Sequence, residues 1–329
     1  MTVHPDSARS MDPNHCSLEA FQTTDPAMCR CLSLARTAAR TDLPVLILGE
    51  SGTGKTLLAR AIHNSSKRAG HPFVSFNAAA LSDTLLDSQL FGHEKGAFTG
   101  ADKRLKGKFE LADGGTLFID EIADLSQVAQ AKILRAVEYG EFERLGGEKL
   151  QTADVRLISA THLPLGTFTR SERFRKDLFY RISGITLILP PLRERPADLR
   201  ALVAAEITLA SRQQGKEIVG LDKKAADALF AYDWPGNLRE LKRIIHVAVA
   251  IAESDVIPVE AILFQPMEGT RPAPGMGEAK GPPPDEDLQL RTVEQRHIRA
   301  VLARSGGNKR QAARTLGISR STLDRKLLA

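Results

Sequence analysis

Eight consecutive residues, Gly49-Glu50-Ser51-Gly52-Thr53-Gly54-Lys55-Thr56, have the types and spacing that can cradle a polyphosphate. Glycines permit tight backbone at positive φ, so successive N–H groups can turn toward one anion at the start of a helix. Lys55 would then reach the terminal phosphate oxygens, and the Thr56 hydroxyl would ligate Mg²⁺. An ordinary Gly-rich turn is the plain alternative. The apolar run before the motif (LPVLIL, 43–48) and the amphipathic pattern after it (LLARAIHNSS, 57–66) supply a strand-loop-helix context that weighs against such a turn. A second run, Thr116-Leu117-Phe118-Ile119, delivers Asp120 and Glu121 together at the end of a strand, where α/β sheets place their ligands. Asp120 suits Mg²⁺ held through water, and Glu121 suits a general base that polarises an attacking water. Binding and hydrolysis of ATP with Mg²⁺ is the chemistry these residues predict.

Positioning them requires a sheet. Apolar runs at 43–48, 73–76, 116–119, 155–159 and 185–189 alternate with helix-length segments, the pattern of buried strands in a parallel α/β sheet with helices on both faces. From about residue 196 the runs stop. Segments 197–214, 221–231 and 238–252 have helical spacing and predict a small all-helical subdomain. Between 266 and 285, six of 20 residues are Pro and four Gly, which marks a linker. The expected organisation is a short N-terminal segment (1–22), an α/β subdomain (23–195), a helical lid (196–264), a linker (265–287) and a C-terminal domain (288–329), with no internal repeat.

Charge separates the last of these from the rest. The 329-residue chain has a formal charge of +5, yet residues 288–329 hold ten Lys/Arg against two acids, a net of +8 that leaves −3 for the first 287. A basic tail on a mildly acidic body predicts a nucleic-acid-binding module. Within the tail, helical segments 292–304, 309–316 and 320–328 are separated by Gly306-Gly307-Asn308 and Gly317-Ile318-Ser319, a helix-turn-helix signature. Arg320, Ser321, Thr322, Arg325 and Lys326 would be free to meet DNA, with Lys309 and Arg310 better placed for phosphates. A helical oligomerisation hairpin is the bland alternative. No run of 18 apolar residues exists, the first 25 residues lack an apolar signal core, and the three cysteines (Cys16, Cys29, Cys31) cannot frame a disulfide network in a chain of this length. These features predict a cytoplasmic protein. Cys29 and Cys31 fall two apart on a predicted helix and so point to nearly opposite faces, which argues against a shared metal.

With these residues in hand, the chain resembles the bacterial enhancer-binding proteins, AAA+ ATPases that activate sigma-54 RNA polymerase, over about residues 25–329. The most specific element is Gly96-Ala97-Phe98-Thr99-Gly100-Ala101. Small residues and two glycines flanking one Phe and one Thr make a poor helix or strand but suit a mobile loop that presents an aromatic anchor. The resemblance implies that this loop contacts sigma-54 and that the segment 139–147 forms a second surface loop moving with it. It further implies that Asn77 is a switch residue restraining Glu121 and that Arg175 and Arg181 are arginine fingers acting on a neighbouring subunit. Thr161 would be a first sensor, followed by His162 where Asn is expected, and Arg239 a second sensor from the lid. In Trp234-Pro235-Gly236-Asn237, Asn237 is positioned to cap the helix that carries Arg239. A cation in a helix's first turn opposes the helix dipole, which suits a phosphate partner.

The function so implied is that of an activator bound to upstream DNA, working as a hexameric ring that remodels sigma-54 holoenzyme at the expense of ATP. The rivals are a DNA-binding AAA+ regulator or repressor not coupled to sigma-54 and a general AAA+ remodeller. Only about 20 residues precede the ATPase region, which leads to the expectation of constitutive activity or restraint by an inhibitor protein acting in trans.

Overall fold

The computed structural model describes residues 16–79, 82–170, 173–264, 302, 308–315, 319–320 and 322–323. The 265–287 linker, nearly all of the 292–304 helix, and Ser321, Arg325 and Lys326 lie outside these residues.

Five strands form one sheet: β1 (Val45–Leu48), β2 (Phe73–Asn77), β3 (Thr116–Asp120), β4 (Arg156–Thr161) and β5 (Ile185–Ile188). Their order is β2-β3-β4-β1-β5, and every pairing is parallel. The pattern follows from burial. All of β4 and the first four residues of β3 are buried, β4 with Arg156, Ser159 and Thr161 among its apolar residues, whereas the edge strands β2 and β5 are only partly covered. Side chains alternate between the two faces. Leu46, Leu117, Ile119 and Leu157 pack with Leu86, Ile133 and Leu178 of the helices Asp83–Phe91, Gln127–Tyr139 and Lys176–Ile182. Val45, Ile47, Phe118 and Ile158 face the helices Pro26–Ala39 and Lys55–Asn64. Register then aligns the strand ends: Leu48 lies opposite Thr161, and Asn77 opposite Asp120.

The lid holds the helices Pro196–Gln214, Lys223–Ala231 and Asn237–Ile251 around fully buried Trp234. One expectation is corrected here. Asn237 does not cap its helix; Gly236 occupies the cap position, and its N–H donates to Glu240 Oε2 at 2.9 Å. Asn237 is instead buried in the left-handed region at φ 49°, with its amide turned toward the phosphate loop. A carboxylate one turn into the helix can reach back and satisfy the cap N–H, which leaves Asn237 available for a tertiary contact.

A buried ion pair at the foot of the lid is tied to the residues just before the helix Pro26–Ala39. Arg195 donates to Asp198 Oδ2 at 2.8 and 3.0 Å, and the same carboxylate accepts from the Thr23 hydroxyl at 2.6 Å and the Thr24 N–H at 3.1 Å. Burial pushes the Asp198 carboxyl up, but Thr23, Arg195 and Thr24 outweigh it and hold it below its ordinary value. Asp198→Ala is expected to lower stability by about 3 kcal/mol, because it strands a buried guanidinium; urea unfolding measures this. A depressed carboxylate contributes fully above its unfolded pKa of 3.8 and loses that contribution as pH falls through the folded value.

In the C-terminal unit the helix Lys309–Thr315 begins with Asn308, whose Oδ1 accepts from the N–H groups of Arg310 and Gln311 at 3.1 and 3.2 Å. Ser319 Oγ accepts from the Thr322 N–H at 3.1 Å, the geometry of an N-cap. Ala312, Ala313 and Leu323 are buried, while Lys309, Arg310 and Arg320 are exposed. Among the described residues, no helix is long and apolar enough to cross a membrane.

Candidate nucleotide site and surface loops

The phosphate loop leaves β1 and passes through Gly52 (φ 80°) and Gly54 (φ 102°) into the helix Lys55–Asn64. A side chain at Gly52 would collide with the Gly236 carbonyl at 2.3 Å, so the loop and the lid approach to a distance only glycine permits. The two are hydrogen-bonded there. The Leu238 N–H donates to Gly52 O at 3.0 Å, Asn237 Nδ2 donates to Ser51 O at 3.1 Å and Glu50 Oε2 at 3.2 Å, and Asn237 Oδ1 accepts from the Leu192 N–H at 2.7 Å. Arg193 grips Glu50 with two bonds of 2.6 and 2.8 Å, which hold the Glu50 carboxyl below its ordinary value.

Ser51–Thr56, Asp120, Glu121 and Arg239 line one cavity of about 410 Å³. Phe21, Met28, Leu189, Leu202 and Leu241 give it an apolar wall. Gly49 and Glu50 stand behind this surface, where their carbonyls accept from Lys55 Nζ at 2.8 and 3.2 Å. Burial lowers the Lys55 pKa against the opposing pull of Glu121 and Asp120. Burial and the neighbouring Glu121 charge raise that of Asp120, with Lys55 acting in the opposite sense. Asp120 is therefore a carboxylate short of positive charge, and the Thr56 hydroxyl lies 3.5 Å from its Oδ2. A hard-oxygen pair of this kind fits Mg²⁺. Arg239 reaches in from the lid and donates to Ser51 Oγ at 2.9 Å.

Glu121 stands in the left-handed region (φ 53°, ψ 48°), which costs a non-glycine residue about 1–2 kcal/mol. Its Oε1 lies 3.8 Å from Lys55 Nζ. Its Oε2 accepts from the His162 ring Nδ1 at 2.8 Å and from the His162 backbone N–H at 3.3 Å. Asn77, at the end of β2, shares no hydrogen bond with Glu121; its Oδ1 accepts from the Ala79 N–H at 2.8 Å. Buried Thr161 accepts from the Leu163 N–H at 3.1 Å.

The other expected residues stand apart from the cavity. Arg175 pairs with Asp177 at 2.7 Å, and Arg181 donates to the Val137 and Glu138 carbonyls at 3.3 and 3.4 Å. Neither lines the cavity of its own chain. In the loop 96–101, Gly96 (φ 84°) and Gly100 (φ 97°) close a turn in which the Gly96 N–H donates to Ala101 O at 2.8 Å. Thr99 is exposed at the tip, and Phe98 rests edge-on against His93, ring centroids 5.0 Å apart. Backbone bonds between Glu94 and Leu145 (3.0 Å) and between Leu145 and Gly92 (3.0 Å) tie this loop to the second one, as does the Arg144 guanidinium, shared by Glu94 and Glu110.

The motif reading did not foresee the Arg193–Glu50 and Asn237 clamps, the apolar wall or the His162–Glu121 bond. Of these residues the sequence marks Glu50 only as part of the phosphate motif, Asn237 only as a helix cap, and His162 only as an unexpected residue after Thr161.

A family model described as the sigma-54 interaction domain matches residues 21–188, a AAA+ ATPase lid domain matches 193–274, and a bacterial regulatory protein model of the Fis family matches 289–329. The transcriptional regulatory protein ZraR of Klebsiella oxytoca is 46% identical over 303 residues, covering 92% of this chain and 67% of ZraR. The Nif-specific regulatory protein of Klebsiella pneumoniae is 43% identical over 302 residues, 92% of this chain and 57% of that protein. NtrX from Brucella abortus in complex with ADP superposes with a TM-score of 0.72 at 32% identity, over 93% of this chain and 68% of that one.

Proposed function

The chain belongs to the sigma-54 interaction domain family, and we infer from this that it is an ATP-dependent transcriptional activator which binds DNA through its Fis-type module and remodels sigma-54 holoenzyme into an open complex. The observation that carries the reading is the convergence of Lys55, Asp120, Glu121 and the lid's Arg239 on one cavity, in a chain that displays Thr99 on a loop between the two nucleotide motifs. In this reading the glycine-rich backbone and Lys55 bind the phosphates, and Arg239 reports their presence to the lid. Glu121 takes the proton of the attacking water. Asp120 and Thr56 would hold Mg²⁺, which supplies charge neutralisation on the phosphates when bound. Arg175 and Arg181, displayed away from their own cavity, would complete the site of a neighbouring subunit in a hexameric ring, which makes turnover depend on assembly. Lys309, Arg310, Arg320 and Thr322, with Ser321, Arg325 and Lys326, would contact the upstream site.

Transcription in vitro with purified components tests this. Open complexes are expected with sigma-54 holoenzyme and ATP, and none with sigma-70 holoenzyme or without ATP. DNA binding and ATP hydrolysis with no sigma-54-dependent transcript would overturn the activator reading in favour of a DNA-binding AAA+ regulator not coupled to sigma-54.

A further inference from the structure

We propose that Glu206 is a specificity-determining residue of the nucleotide cavity, the acceptor that receives the ribose hydroxyls of the bound nucleotide. The proposal rests on the reading of this cavity as an ATP site and deepens it. Glu206 lies on the lid helix Pro196–Gln214, is 8% exposed, and lines the cavity together with Leu202, one turn earlier on the same face. A carboxylate beside an apolar wall is costly to bury unless its oxygens have donors. One of them does: the His246 ring Nε2 lies 3.0 Å from Glu206 Oε1, and since a carboxylate only accepts, the proton of this contact belongs to the imidazole. Oε2 has no hydrogen bond among the described residues. The side chain that lines the cavity therefore keeps acceptor capacity for a donor bound there.

Its place along the lid decides which part of a nucleotide it meets. Arg239, Lys242 and His246 stand at i, i+3 and i+7, on one face of the helix Asn237–Ile251. Arg239 reaches the phosphate loop at Ser51 Oγ, and Lys242 lines the cavity one turn further on. His246 follows about 10 Å along the axis from Arg239, at the rise of an α-helix. Glu206, bonded to His246, is thus set back from the phosphates, whose charge a carboxylate at close range would oppose. The first donors beyond the phosphates are the vicinal hydroxyls of the ribose, and an acidic side chain is suited to them because a hydroxyl can donate to a carboxylate oxygen, the contact by which dinucleotide folds hold a ribose. The wall formed by Phe21, Met28 and Leu189 is left for the base.

The test is calorimetric titration of the full chain, native and Glu206→Leu, with ADP and with 2′,3′-dideoxy-ADP, neither of which is turned over. Leucine is close in volume to glutamate and suits the neighbouring Leu202 and Leu241, and His246 is 33% exposed, so its freed N–H can turn to water. Native protein is expected to bind ADP at least about ten-fold more tightly than the dideoxy nucleotide, the worth of a hydrogen bond to a charged group. Glu206→Leu is expected to lose that advantage, binding ADP about ten-fold more weakly than native protein does and the dideoxy nucleotide with native affinity. The first comparison needs no variant, so it stands whether or not Glu206→Leu folds. Native protein that binds both nucleotides alike, or a Glu206→Leu penalty equal for both, overturns the ribose assignment and leaves the nucleotide site in place; an equal penalty would mean that the carboxylate serves the base or the fold. Native protein that binds neither nucleotide overturns the nucleotide site, and this proposal with it.

Discussion

Glu121→Gln is expected to bind ATP with native affinity and to lose turnover by about 10²–10⁴-fold, the range that a positioned general base supplies. The separation follows from geometry. Phosphate binding would draw on the backbone of Gly52–Lys55, on Lys55 Nζ and on Arg239; Glu121 stands 3.8 Å from Lys55 Nζ, which the Gly49 and Glu50 carbonyls hold at 2.8 and 3.2 Å. Glutamine keeps the length of the side chain, and its carbonyl oxygen can still accept from His162, so the left-handed backbone at this position keeps its partner. What it lacks is an oxygen that can take a proton. Single-turnover hydrolysis together with binding of a fluorescent nucleotide measures the two quantities separately. Equal losses of binding and turnover would show that Glu121 acts structurally.

Thr99→Ala is expected to hydrolyse ATP at the native rate and to fail in open-complex formation. The turn it occupies is closed by backbone bonds, Gly96 to Ala101 and Ala101 to Phe98 (2.9 Å), and by two glycines at positive φ, none of which needs the Thr99 hydroxyl. Phe98 stays packed on His93. The substitution therefore alters one exposed group at the tip and leaves the nucleotide cavity untouched. If that group anchors the partner as an interface hot spot worth about 2 kcal/mol, open-complex yield at limiting activator falls about thirty-fold. The check is a paired measurement of ATPase rate and sigma-54-dependent transcript, and a fully active Thr99→Ala protein would refute the loop's role.

Both arguments combine local and tertiary information. The phosphate loop was legible in the sequence because its function depends on contiguous backbone: Gly52 and Gly54 set the turn, and Lys55 and Thr56 follow on the helix they open. The strands were legible for a similar reason, since a strand buried on both faces is mostly apolar, although β4 also buries Arg156, Ser159 and Thr161. Boundaries moved by a residue or two, which brought Asn77 and Asp120 inside their strands. The clamps that set the site's geometry were not legible. Glu50 meets Arg193 across 143 residues of sequence, Asn237 meets Ser51 across 186, and Glu121 meets His162 across 41. Asn237 shows the cost of a local reading: an Asn before a helix is read as a cap, but once Glu240 supplies the cap, the Asn amide is free to join the lid to the phosphate loop.

By itself, then, the sequence determined the inventory: a phosphate cradle, an acid pair on a buried strand, a small-residue loop with one Phe and one Thr, and a basic helix-turn-helix separated in charge from an acidic body. These are properties of short segments, fixed by backbone freedom, periodicity and charge. The tertiary structure alone decided which of these residues hold one another, because the register of five parallel strands sets which strand ends face each other. That register places Thr161 and His162 between the phosphate loop and the acid pair, so Glu121 meets a histidine donor from β4, while Asn77 on β2 turns to its own chain neighbour.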